Sequence, residues 1–289
     1  MRPSATNSPG SLPLPESCNG SPLPGHPGAG PFLDEACLSD MDNFVRMLGE
    51  VRARGTRPDL VGSVISHCAT RWLPELAGCE AIGVCATPGS GGGAEAKTEG
   101  SMAAWMKKRF FVETLVGVLP LEKDALPCGF LLRLLRVANM VGAEPAQRAE
   151  LEARVARQLE QASLRELMIP AFSHTCGTLL DVGLTLRLVK GFAGMDEAVK
   201  SGAAMVKVAK VVDGYLAEAA VDANLSLPEF VALAGALPGH SRSTDDGLYR
   251  AVDTYLKVSI PPHSPFHLAL LHVDYVGWEY IHWFFTTRL

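Results

Sequence analysis

The chain has 289 residues, 47% hydrophobic and 20% charged, which is long and apolar enough to bury a substantial core and excludes a wholly disordered protein. Lys and Arg number 26 against 31 Asp and Glu, so the formal net charge is −5 and no overall basic field favours nucleic-acid binding. The seven irregularly spaced Cys and the lack of a secretory signal predict a cytoplasmic protein, and no uncharged apolar run reaches the length of about eighteen residues that spans a membrane.

The first segment, residues 1–36, is predicted to be a disordered leader. Eight of the 20 prolines fall within residues 1–34, together with repeated Ser and Gly. Such a composition cannot bury enough apolar surface to offset the entropy of ordering. Residues 37–257 are then predicted to form a helical domain.

Helical spacing begins at Leu38, where a first helix runs to Gly55 and a second runs from Pro58 to Pro74. A Gly-rich stretch at 77–101 breaks the pattern and is predicted to be a flexible insertion. Helices are then predicted to end at Pro120 and Gly142 and to begin at Pro145. Further helices are predicted at 163–168, 178–192, 199–221, from the capping box Ser226 to Glu229 onward, and at 246–257.

Strand signals are nearly absent, so the predicted fold is all-α, a multi-helix arrangement rather than a simple bundle. Trp72, Phe111, Leu131 and Leu135 are the leading candidates for the core. Phe110 is expected to be buried beside Phe111. Glu150 and Arg154 are expected to form an exposed ion pair one helical turn apart.

Signals for catalysis are weak. Residues Gly91 to Thr98 come within one position of a phosphate-binding P-loop, which requires Gly where Ala96 stands. His67-Cys68 and His174-Thr175-Cys176 lack the paired spacing of zinc modules, and no nucleophile elbow is found, Ser173 beside His174 being the nearest approach. We therefore expect neither an enzyme nor a bound metal or cofactor.

Two charged segments are candidate partner-binding sites, because charged loop and helix positions are accessible from outside. A solvated face without a partner is the alternative for each. The candidate residues are Arg57, Pro58 and Asp59 in a turn, and Lys107, Lys108 and Arg109 in a helix.

Several longer segments, taken in chain order, resemble one plant family, the phototropic-response adaptors named for non-phototropic hypocotyl three, which include the root phototropism proteins. The resemblance covers roughly residues 37–257. The segments that carry it are Arg52–Leu60, Arg71–Pro74, Phe111–Pro120, Pro127–Met140, Leu167–Pro170, Thr178–Val182, Val208–Ala217, Phe230–Ala234 and Asp246–Lys257.

The resemblance implies a non-catalytic signalling scaffold. Members typically join this helical domain to an N-terminal BTB domain that recruits cullin-3 ubiquitin ligases for substrate presentation, and phototropin-type blue-light receptor kinases are their best-known partners. Here the leader is too short for a BTB domain, so we expect any link to cullin-3 to be indirect, through BTB-containing relatives. A regulatory decoy that binds partners without recruiting ligase is the alternative.

The last segment, residues 258–289, departs from the family as a divergent aromatic tail. It holds seven of the chain's 20 Phe, Trp and Tyr, which suggests a splice variant that could be defective. Asp274 and Glu279 disfavour a membrane span, whereas peripheral association with the plasma membrane through Trp and Tyr stays open.

Overall fold

Ten α-helices form the part of the chain that the structure describes. The computed structural model describes residues 35–76, 94–172, 177–196, 200–242, 244 and 246–259. These ranges contain no β-strand, only an isolated antiparallel bridge between Pro170 and Leu180, which confirms the all-α prediction. The helices are α1 (Glu35–Ala53), α2 (Pro58–Trp72), α3 (Ala94–Gly117), α4 (Cys128–Met140), α5 (Pro145–Ala156), α6 (Leu164–Leu167), α7 (Val182–Ala193), α8 (Gly202–Ala219), α9 (Leu227–Ala234) and α10 (Asp246–Ser259).

Most helix ends coincide with local sequence signals. Pro58 and Pro145 are the first residues of α2 and α5, where the missing N–H costs nothing. Gly55 and Gly142 follow α1 and α4 with φ of +73° and +62°, the left-handed conformation that glycine adopts without strain. At α9, both hydrogen bonds of the predicted capping box are present around Ser226.

Three predicted boundaries need correction. Helix α3 begins at Ala94, so residues 94–101 of the predicted insertion 77–101 are helical, in keeping with their Ala, Glu and Lys content. Helix α7 begins at Val182 rather than 178, because Asp181 caps it and the preceding backbone pairs with residues 169–171. The described helices also extend past the predicted domain limits of 37 and 257, to Glu35 and Ser259.

Several predictions lie outside the described residues. These are the disordered leader up to residue 34, the insertion from 77 to 93, the segment 173–176 and the tail from residue 260 onward.

An aromatic contact holds the first three helices together. Phe111, Leu131 and Leu135 are buried as predicted, and Trp72 is half-buried against this core. The Trp72 ring meets Phe44 and Phe111 edge-on, with centroids 5.0 and 5.1 Å apart. Such pairs are worth about 0.5–1.5 kcal/mol each beyond the area they bury.

Two predicted exposures are wrong, at Phe110 and at Arg154, although Arg154 forms its predicted ion pair with Glu150. Phe110 is 52% exposed, because neighbouring positions on a helix point about 100° apart and Phe111 takes the inward direction. Arg154 is only 6% exposed, and it donates hydrogen bonds to the carbonyl of Pro120 and, at 2.5 Å, to Glu150. Helix periodicity predicted an exposed position for Arg154. Its guanidinium is buried because it binds the Pro120 carbonyl, which lies outside its own helix.

Long cationic side chains reach the carbonyl groups that helix ends leave without partners. This contact recurs at four separate places in the described residues. The pairs are Arg52 with the Val118 carbonyl, Arg133 with Leu76, Lys200 with Ala193 and Arg242 with Ala234.

A buried ion pair fixes the end of the described domain. Arg242 donates to both carboxylate oxygens of Asp213 on α8, with its Nε at 3.0 and 3.2 Å and its Nη2 at 2.9 Å from the nearer oxygen. Beside it, Gly247 lets α10 approach closely, since a Cβ there would lie 3.0 Å from the Cβ of Asp213. The pair therefore joins α8 to the segment that leads into α10.

Candidate protein-interaction surface

The Arg57-Pro58-Asp59 turn is exposed and its charges are paired with each other. Pro58 opens α2, and the extended backbone of Arg57 (φ −58°, ψ 139°) brings its guanidinium back to Asp59. Its Nε and Nη2 lie 3.1 and 2.7 Å from the two carboxylate oxygens. This hydrogen bonding holds the pKa of Asp59 below its ordinary value. A partner would meet a neutral, preformed pair here.

The Lys107-Lys108-Arg109 run lies on α3 and contacts two carboxylates. Lys108 pairs with Glu75 in the short 3-10 turn Pro74–Leu76. Arg109 donates from Nε to Glu113 at 2.8 Å, and the same Glu113 oxygen accepts the backbone N–H of Glu144 at 3.0 Å. Within the described residues, Nε is the only nitrogen of Arg109 that makes a hydrogen bond, so the outer nitrogens of its guanidinium remain as donors.

The two candidate segments lie at different places on the molecule. Arg57 precedes α2, and Glu75, which pairs with Lys108, follows its end. The 15 residues of α2 separate them by about 22 Å at the usual rise per residue. They are therefore two sites and do not form one.

An apolar stripe runs along α3 beside the second segment. Its side chains recur at i, i+3, i+4 and i+8, so they share one face of the helix. Met102 is 56% exposed, Trp105 43%, Met106 62% and Phe110 52%. By the same geometry Arg109 lies on this face, between Trp105 and Phe110. We call these five residues the α3 face.

The sequence indicated Arg109, the one cation of the α3 face, but did not indicate its apolar members. Their helical spacing was visible, yet Met102 directly follows the predicted insertion 77–101, and Phe110 was assigned to the core. The missing information was that Phe111, Val112, Leu115 and Val116 already supply the buried side of α3. Large apolar side chains left outside such a core make this face a candidate interaction surface.

The other chemical motifs do not assemble into a site in the described residues. Lys97 and Thr98, of the P-loop-like stretch, lie within α3 rather than in a loop ahead of a helix. His67 and Cys68 lie side by side on α2. Across the described ranges, no group of three His, Cys, Asp or Glu is arranged to hold a metal ion.

None of the helices that the structure describes combines the length and apolar character required to cross a bilayer.

Comparison with known proteins identifies the chain's relatives. The family model described as the NPH3 family matches residues 32–260. Root phototropism protein 3 of Arabidopsis thaliana is 32% identical over 303 residues, covering 78% of this chain and 41% of the relative. Coleoptile phototropism protein 1 of Oryza sativa subsp. japonica is 34% identical over 295 residues, covering 80% and 38%.

A BTB/POZ domain-containing protein of Arabidopsis thaliana is 33% identical over 258 residues, covering 81% of this chain and 38% of its own length. The chain thus spans about two fifths of the length of these relatives. No solved structure matches. Since the family model extends from the first described helix to the last, this chain belongs to the NPH3 family.

Proposed function

We propose that this chain is a non-catalytic signalling adaptor that binds other proteins through exposed helical surfaces. Its partners are phototropin-type receptor kinases and BTB-containing relatives, the latter linking it to substrate presentation by cullin-3 ubiquitin ligases. The proposal places the protein in the cytoplasm and at the inner surface of the plasma membrane.

The α3 face is the observation that carries this proposal. Four large apolar side chains lie about half exposed on one side of α3, and the packed residues of this helix, Phe111, Val112, Leu115 and Val116, lie in its following turns. Covering them with a partner removes apolar surface from water at about 25 cal/mol per Å². The names of the relatives, which refer to phototropism and to the BTB/POZ domain, support the choice of pathway.

Binding to purified partners tests the proposal. The full chain is mixed with the cytoplasmic portion of a phototropin-type kinase, with a BTB-containing relative and with cullin-3, and each affinity is measured by titration calorimetry. We expect the kinase and the relative to bind directly, and cullin-3 to bind only when the relative is present. Trp105→Ala should weaken at least one of the direct contacts.

The matched control is Tyr249→Ala on α10, because this aromatic ring is 40% exposed against 43% for Trp105. No binding of either direct partner would contradict the proposal. If the kinase binds but cullin-3 does not, even when the BTB-containing relative is present, the decoy hypothesis is favoured instead.

A further inference from the structure

Two members of the α3 face are methionines. Met102 is 56% exposed and Met106 62%, and their spacing of four residues places the two thioethers one helical turn apart, beside Trp105. Among the residues that the structure describes, the only other methionine that is more than half exposed is Met47 on α1, at 58%. Two of these three exposed thioethers therefore lie on the candidate interaction surface.

A thioether differs from the other apolar groups of this face because its sulfur can be oxidised. A lone pair of the sulfur attacks one oxygen of hydrogen peroxide, the O–O bond breaks as the S–O bond forms, and the sulfur gives up two electrons. The departing hydroxide takes the proton of the transferred oxygen and leaves as water. The product is methionine sulfoxide, which is polar and which methionine sulfoxide reductases convert back.

The two thiols whose surroundings the structure describes compete poorly for peroxide. A cysteine reacts as its thiolate. Burial raises the pKa of the Cys68 thiol, and it raises the pKa of the Cys128 thiol to about 12, so both stay protonated at neutral pH. Oxidation of a thioether requires no deprotonation, so its exposure decides its reactivity.

Sulfoxides on the α3 face would change what this face can bind. Each S=O group accepts hydrogen bonds from water, and an apolar partner that covers it removes this water without replacing it, which costs free energy. Since Met102 and Met106 lie within one turn of Trp105, both new polar groups fall beside the largest ring of the face. Oxidation thus opposes the burial of apolar surface that holds a partner there.

We propose that Met102 and Met106 form a peroxide-sensitive modification site, and that their conversion to sulfoxides releases the partner from the α3 face. The inference rests on the proposed adaptor function and adds a reversible chemical control to it. Met47 is the internal comparison, because exposed Asn43 and Glu50 lie one turn away from it on α1. A sulfoxide at Met47 therefore joins a polar surface and alters no apolar one.

Peptide mapping of the full chain tests the modification site. The chain is treated with hydrogen peroxide, the reaction is stopped at intervals, and the oxygen added to each methionine is followed by mass spectrometry. Trypsin releases residues 98–107 as one peptide, and its fragmentation separates Met102 from Met106. We expect both to oxidise at least about tenfold faster than Met41 and Met205, which are 0% and 8% exposed. Rates no faster than those of the buried pair would overturn the assignment.

Partner affinity before and after oxidation tests the release. The partner is the receptor kinase or BTB-containing relative whose binding Trp105→Ala weakens. Oxidation should lower its affinity at least about tenfold, because the polar groups fall beside the ring that anchors it. Methionine sulfoxide reductases A and B with dithiothreitol should restore binding. Dithiothreitol alone should not, since it reduces disulfides and sulfenic acids but leaves sulfoxides unchanged.

Variants of the full chain assign the effect to the two residues. Met102→Leu combined with Met106→Leu keeps the apolar contact and accepts no oxygen, so binding should survive peroxide. Met102→Gln combined with Met106→Gln places polar groups of similar length there and should reproduce the loss without peroxide. Met47→Leu and Met47→Gln are the matched controls and should change neither the affinity nor its response to peroxide. Circular dichroism and thermal unfolding verify that each variant, and the oxidised chain, is folded.

The two proposals fail in different ways. Unchanged affinity of a chain that is oxidised at both methionines, or a loss that persists in the double Leu variant, would show that only the inference about oxidation is wrong. If neither partner binds the untreated chain, the proposed function is wrong and the release step with it, and the rates from peptide mapping still decide the modification site.

Discussion

The buried Arg242–Asp213 pair provides the sharpest test of how the domain is held together. The two side chains are 4% and 7% exposed, and the guanidinium also donates to the carbonyl of Ala234 at 3.1 Å. Arg242→Met leaves the Asp213 carboxylate buried without a counter-charge. Removing one partner of such a pair costs about 3–5 kcal/mol, because the remaining charge has lost both water and its partner.

The free energy of unfolding of the full chain and the variants is measured by urea denaturation, with thermal unfolding as a second readout. A loss of 3–5 kcal/mol lowers Tm by roughly 6–20 °C for a domain of this size. Adding Asp213→Asn to Arg242→Met removes the unpaired charge, so the double variant should be more stable than the single one. This reversal of sign is specific to a buried pair.

A matched control is available in Arg187, which binds Glu152 through two contacts of 2.9 Å but is itself 56% exposed. Arg187→Met should cost no more than about 1 kcal/mol, since water screens the pair and hydrates the carboxylate that remains. If the Arg242 and Arg187 substitutions cost the same, or if Asp213→Asn makes the Arg242 variant less stable, the assignment of Arg242 as a buried, charge-compensating residue is refuted.

Three smaller predictions follow from single residues. Gly62→Ala should destabilise the fold by about 1–3 kcal/mol or more in urea denaturation, because a Cβ at this position would lie 1.7 Å from a backbone oxygen. The control is Gly49→Ala, where a Cβ would meet nothing within 4 Å, and it should stabilise α1 by about 0.5–1 kcal/mol. Burial raises the pKa of the Cys128 thiol to about 12. Mass mapping should therefore find this thiol unmodified by iodoacetamide at pH 8 until urea unfolds the chain. Rapid labelling of Cys128 in the folded protein would contradict this. The lowered pKa of Asp59 means that its ionised form contributes stability above the ordinary Asp pKa and that this contribution is lost as the pH falls through the lowered value. Arg57→Gln should return the Asp59 pKa towards the ordinary value in an NMR titration, and an unchanged pKa would exclude the guanidinium as its cause.

Much of the fold was predictable because its signals are local. Pro58, Pro145, Gly142 and the Ser226 capping box each act on the backbone within a few residues, and the structure confirms each of them. The late start of α7 was not predictable in this way. It depends on backbone hydrogen bonds with residues 169–171, which only the folded chain brings near.

The candidate surface was predictable only in part. Charge composition pointed to Lys107, Lys108 and Arg109, which lie on α3. It did not show that Lys108 is committed to Glu75, a residue far away in sequence. The separation of this segment from the Arg57 turn also appears only once α2 is placed between them.

By itself, the sequence determined the helical class, most helix ends and the family, since these depend on periodicity, on Gly and Pro geometry and on ordered motifs. The tertiary structure alone decided which side of each helix is buried. Phe110 points outward and Arg154 inward because packing of the other helices, and not helix propensity, sets the direction of the core. The candidate interaction surface is what that packing left uncovered.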